Sequence, residues 1–88
     1  MHAVVVRVKI DDVESATKGL TEEVVPRASS APGFVAGYWT RKDNGGLSMA
    51  IFESEEAAQA ALEMVRAAVP PEGVELEGAE VREVVAHA

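Results

Sequence analysis

Residues 34–52 read FVAGYWTRKDNGGLSMAIF, and the middle of that stretch, Asp43-Asn44-Gly45-Gly46, decides the fold. Asn-Gly supplies the two positive-φ residues of a type I′ turn, whose twist suits a pair of antiparallel strands. The flanks, 34–42 and 47–52, are rich in aromatic and large apolar residues, so the stretch predicts a β-hairpin. With Asn44-Gly45 as the loop, Lys42 pairs with Leu47, Thr40 with Met49 and Tyr38 with Ile51. Opposed residues point the same way, so Phe34, Ala36, Tyr38, Leu47, Met49 and Ile51 share one face. Val35, Gly37, Trp39, Arg41, Ser48, Ala50 and Phe52 share the other.

Upstream, residues 2–10 are mostly β-branched and end at Asp11-Asp12, which predicts a first strand followed by a helix N-cap. Val13, Ala16, Leu20 and Val24 then recur as one apolar stripe of a helix over 13–29. Gly19 and Pro26 weaken that helix and predict a bend or early end near Pro26. Downstream, Ser54 is placed to cap a second helix, with Glu55 and Glu56 in its favourably charged first turn. Its apolar rows are Ala58-Leu62-Val65-Val69 and Ala57-Ala61-Met64-Ala68, with Gln59, Glu63 and Arg66 on the wet side, and Pro70-Pro71 ends it. Residues 74–86 make a last strand, either continuous or broken at Gly78. The order is βαββαβ. It predicts an α+β, ferredoxin-like single domain over residues 1–88, a four-stranded antiparallel sheet with both helices on one face.

The chain has 88 residues, no cysteine, and 15 acids against 8 bases for a net charge of −7. A domain this small buries only about 60–65% of its unfolded surface, so partner subunits, metals or disulfides commonly supplement its core. Without cysteine, a partner subunit is the ready supplement. The negative balance opposes nucleic acid and anionic membranes, which recruit Lys and Arg. The opening stretch reads as a strand and not as a secretory leader, and no run is long enough to span a bilayer, so the expected compartment is the cytoplasm.

Val4, Val6, Val8 and Ile10 are the most apolar row of the first strand and are expected to meet the helices. Leu47, Met49 and Ile51 are assigned to the same side for the same reason, with Tyr38 beneath the helices. The opposite face then carries Val5, Arg7, Val35, Trp39, Arg41, Ser48, Ala50 and Phe52. An apolar face that the chain's own helices leave open marks an interface or a ligand groove, and these eight residues are the candidate pocket or dimer face. The expected partner is a second copy of the chain, since closed two-fold dimers are the commonest oligomers.

Pro32-Gly33-Phe34, Gly37-Tyr38-Trp39 and Phe52-Glu53-Ser54-Glu55-Glu56-Ala57 resemble the dimeric α+β barrel superfamily, in particular its antibiotic-biosynthesis-monooxygenase-like (ABM-like) members. The resemblance spans nearly the whole chain in element order, through short and largely structural motifs. It implies two sheets packed face to face, with a pocket in each protomer between sheet and helices or in the barrel. Relatives include cofactor-free oxygenases of aromatic substrates and haem-degrading enzymes. The latter use an asparagine on the first strand and a histidine on the second helix, and neither is present here. The quinone-forming oxygenases use Trp, Tyr, Asn and Arg, and Trp39, Tyr38 and Arg41 match in type.

Trp39 reads as an interface anchor or as the wall of an aromatic pocket. Arg7 and Arg41, each alone, read as side chains that reach solvent or pair with Glu across a dimer. As a pair among apolar neighbours they read as holders of an anionic or phenolate group. Ser48 has no base near it in sequence, and His2 and His87 lack a third metal ligand. No catalytic residue is assigned and no cofactor or metal is expected. The functional expectation is a homodimer with a hydrophobic pocket for a small aromatic ligand. Its activity is that of a cofactor-independent monooxygenase or, alternatively, of a non-catalytic binding or stress-associated module.

Overall fold

The structure, a computed structural model, describes residues 1–88. The elements are β1 (His2–Ile10), α1 (Val13–Gly19), a π-helical turn (Leu20–Val24), α2 (Val25–Ser29), β2 (Phe34–Lys42), β3 (Gly45–Phe52), α3 (Glu55–Ala67) and β4 (Val74–Glu83). The four strands form one antiparallel sheet in the order β2-β3-β1-β4. The α1–π–α2 run and α3 lie over the same face, the ferredoxin-like arrangement that the order of elements predicts. No helix is long and apolar enough to cross a membrane.

Each helical run starts where a short polar side chain satisfies its free N–H groups. Asp12 takes an extended backbone and accepts from Ser15 N at 3.2 Å, and Ser54 Oγ accepts from Ala57 N at 3.1 Å. The first run does not stop at Pro26. The Val25 N–H reaches back five residues to Leu20 O, which widens the helix by one residue just before the proline. Pro26, which has no N–H to give, thereby falls in the first turn of α2, where none is needed.

The hairpin turns one residue earlier than the Asn-Gly signal predicts. Lys42 pairs with Gly45, Thr40 with Leu47 and Tyr38 with Met49, leaving Asp43-Asn44 as the loop. Asp43 takes the left-handed conformation at φ 53°, which Asp tolerates better than most residues. Gly46 is required inside the strand, since a Cβ there would stand 2.6 Å from Val8 Cγ2. The pairing slides by two residues, an even number, so the hairpin keeps its two faces from Ala36 onward. The bulge between Phe34 and Ala36, however, sets Phe34 opposite Phe52 and moves it from the Tyr38 side to the side of Trp39 and Phe52.

The pairing of β3 with β1 corrects the assignment of those faces. Val4 lies opposite Ala50, Val6 opposite Ser48 and Val8 opposite Gly46, so the Val row shares its side with Trp39, Arg41, Ser48, Ala50 and Phe52. Ala3, Val5 and Arg7 lie opposite Ile51, Met49 and Leu47. The packed core confirms which side meets the helices: Val4 and Phe52 close on Ala58 and Leu62 of α3. Leu47, Met49 and Tyr38 point away, and are 49%, 43% and 66% exposed. Leu47, Met49 and Ile51 of β3 thus face outward, and Gly46, Ser48 and Ala50 face inward together with the buried Phe52, the reverse of what the hydrophobicity of the two rows predicts.

The packed core is thin, with eight buried residues among 88. Leu62 sits inside it at 5% exposure, whereas Met64 on the same helix is 48% exposed. In urea titrations Leu62→Ala is expected to lower the unfolding free energy by about 2–5 kcal/mol, and Met64→Ala by well under about 1 kcal/mol. Equal losses would refute this placement of the core.

Candidate functional site

Between the sheet and the helices lies a cavity of about 620 Å³. Its floor is the inward row of small residues on β3, Gly46, Ser48 and Ala50, flanked by Val6 of β1 and Trp39 of β2. Its roof is the π-helical turn with its neighbours, Leu20, Thr21, Val24 and Ala28. The far wall is the C-terminal half of α3 and the loop after it, including Met64, Val65 and Pro71. The cavity exists because small side chains stand where a filled core would have Leu or Ile. It is also propped at one end, where Gly19 rests on Pro71 so closely that a Cβ would fall 2.5 Å from Pro71 Cβ.

At about 24 cal/mol per Å³, keeping 620 Å³ dry and empty would cost on the order of 15 kcal/mol. That equals the entire stability of a small domain, about 5–15 kcal/mol. The space is therefore one that solvent or a guest occupies, and exposed lining residues such as Thr21, Arg27 and Val69 form its mouth. Its volume falls within the range of small-molecule pockets, about 300–1,000 Å³.

The lining is mainly hydrophobic, with a few polar groups. Ser48 is half-buried on the floor directly opposite Trp39, and neither the Ser48 hydroxyl nor the indole N–H hydrogen-bonds to another group of the protein. Arg41 lines the cavity from β2, and its Nη1 donates to Asp43 O at 3.0 Å, which draws it toward the hairpin turn. Glu23 and Arg27 are the other charged lining residues. The arrangement can hold an apolar body and offer it two neutral hydrogen-bonding groups from the floor.

The eight residues singled out from sequence divide between the two faces. Trp39, Arg41, Ser48, Ala50 and Phe52 line the cavity together. Val5 and Arg7 are on the outward face, and Val35 is exposed at a bulge between Phe34 and Ala36. Arg7 and Arg41 therefore stand on opposite faces of the sheet, and only Arg41 lines the cavity beneath the helices. Arg7 instead lies over Gly78, 3.7 Å from Glu80, which Arg82 also meets at 2.9 Å. Tyr38, expected beneath the helices, is on the outward face as well. His2 approaches Glu55 at 3.4 Å, near the N-terminus of α3. The roof residues Leu20 and Val24 were legible as an apolar stripe, but a stripe alone does not distinguish a cavity wall from a packed core.

No protein-family model matches the chain, and no curated protein matches it.

Ala28, under the roof, and Ala58, in the packed core, allow the cavity to be tested directly. Ala28→Leu has room to extend into the cavity and is expected to change stability by less than about 1 kcal/mol, whereas Ala58→Leu overpacks and should cost about 1–3 kcal/mol. Thermal unfolding followed by circular dichroism distinguishes the two, and a penalty at Ala28 as large as at Ala58 would mean the space is closed.

Proposed function

We propose that the protein is a homodimer of the dimeric α+β barrel type, each protomer binding a small aromatic ligand in the cavity between sheet and helices. The observation that carries the ligand reading is the inward row Gly46-Ser48-Ala50, which leaves about 620 Å³ beside Trp39 in a domain otherwise short of core. A flat apolar guest would recover the burial that the chain forgoes there, and Ser48 and Trp39 would orient its polar atom.

The dimer reading rests on the other side of the same strand. Leu47, Met49, Tyr38 and Val35 stand exposed there around Val5 and Ile51. The accessible surface, 5817 Å², exceeds the roughly 5,000 Å² usual for a monomer of this mass. The excess, roughly 800 Å², is about what one partner contributes to a standard interface. Sheet-to-sheet packing of two copies would cover this face.

Under this reading the activity is that of a cofactor-independent monooxygenase. A phenol takes one oxygen atom from dioxygen to become a quinone, and the other oxygen leaves as water with two hydrogens of the substrate. A second reading, a non-catalytic binding module, is favoured by the lining itself, where apart from Glu23, Arg27 and Arg41 the walls are apolar or neutral. Oxygen uptake with a panel of phenols and naphthols separates the two, because binding without oxygen consumption leaves only the module.

In sedimentation analysis the wild type is expected to run as a dimer, and Met49→Glu as a folded monomer. Trp39 emission should change on adding naphthols and remain unchanged with aliphatic alcohols. A monomeric wild type would sink the dimer, and an inert Trp39 the ligand.

A further inference from the structure

Trp39 enters the cavity wall in an unusual pose, set by its neighbour two residues back on the same face of β2. A Cβ at Gly37 would stand 2.6 Å from Trp39 Cη2, 2.7 Å from Cζ3 and 3.3 Å from Phe34 Cε2. The benzo edge of the indole therefore lies against the Gly37 backbone, running back along the strand toward Phe34. Phe34 meets Phe52 edge to face, with ring centroids 5.9 Å apart and planes at 79°. The three rings continue one another along the sheet, and the indole borders the cavity together with Phe52.

A glycine in a strand interior loses backbone entropy and offers no packing, and an aromatic ring laid over it recovers part of that loss. That much would serve stability anywhere in a sheet. Here the pair also sets the shape of a cavity. With position 37 bare, the indole lies down and the space above it stays open. With a methyl group there, the indole must leave the strand. An apolar ring displaced from its seat moves into apolar space more readily than into water, and the nearest such space is the cavity.

We infer that Gly37 is a specificity-determining position: by seating the Trp39 indole flat on β2, it keeps open a slot broad enough for a planar guest of two fused rings. Any side chain at 37 turns the indole into that slot and leaves room only for single-ring guests. The inference rests on the ligand-binding reading above and narrows it to a breadth of ligand.

The test uses phenol and 1-naphthol as probes, with calorimetry and proton NMR on the wild type, Gly37→Ala, Trp39→Leu and the double variant. In the wild type the Gly37 Hα protons should be displaced upfield by the ring current of the indole above them. Gly37→Ala is expected to weaken 1-naphthol by about tenfold or more while phenol changes by less than about threefold. In the Trp39→Leu background, with no indole to displace, adding Gly37→Ala should leave 1-naphthol binding as it was. Equal losses for both probes, or a loss that persists without the indole, overturns the inference. So do Gly37 Hα protons at ordinary shifts, a result that can be read whatever binds. A wild type with upfield Hα protons that binds neither probe instead overturns the ligand-binding reading and leaves the seating of the indole standing.

Discussion

The pairing of β3 against β1 is the constraint from which the rest of the molecule follows. With Val4 opposite Ala50 and Val6 opposite Ser48, the small residues of β3 face the helices and Leu47, Met49 and Ile51 face away. A slip of one residue would exchange the two rows, because side chains alternate with a period of two. The exchanged molecule would have a filled core and a small-residue outer face, with neither a cavity to line nor an apolar surface to cover. One register thus creates two deficits, volume on the inside and coverage on the outside.

The first helical run accepts that arrangement because its ends are tied, whereas α3 is held by the packing of Ala58 and Leu62. Asp12 caps the start of the first run, beside the bonds from Ile10 N to Asn44 O at 2.7 Å and from Asp11 N to Gly73 O at 2.8 Å. Past its other end, Gly33 O accepts from Glu53 N at 2.8 Å, and Gly33 needs its left-handed φ of 80° to turn there against Ala57. Between these ties the run spans the β2 side of the sheet as an arch. The π-helical turn sits over the cavity, a place where an inserted residue disturbs little packing. Such turns are uncommon and concentrate at functional sites.

What was legible in the sequence was local. Asp12 and Ser54 declare their caps by residue type, the aromatic and large apolar content of 34–42 and 47–52 on either side of a turn declares strands, and the two strand-helix-strand crossovers leave the ferredoxin-like order as the natural solution. Turn position was less legible, because Asp43 and Asn44-Gly45 compete for it and the outcome depends on Gly46 meeting Val8 from another strand. The face assignment failed for a related reason. Hydrophobicity ranks Leu47-Met49-Ile51 above Ser48-Ala50-Phe52, but the register that chooses between them is a contact across some forty residues of chain. Five of the eight candidate residues still fell together, because from Ala36 onward membership of a hairpin face depends only on alternation, whereas Val35 fell out at the bulge that also turned Phe34. The cavity had no local signal at all, since it is defined by volume that is missing.

A fold of this kind is shared by many unrelated activities and selects none of them. What distinguishes this chain is that β3 leaves an apolar row exposed on one face and an unfilled cavity on the other. Its outward residues can be covered only by something outside the protomer, and its inward residues face a space that only solvent or a guest can fill. The two faces are mechanically linked through a single backbone. Burying Leu47 and Met49 against a partner would hold β3 rigid and with it the floor beneath Ser48 and Ala50, so that association would preorganise the cavity and lessen the ordering cost of binding. Linkage is reciprocal, so a guest that preferred the rigid floor would strengthen association by the same factor. In a domain with so thin a core, that coupling is a physical reason for both properties to reside on one strand.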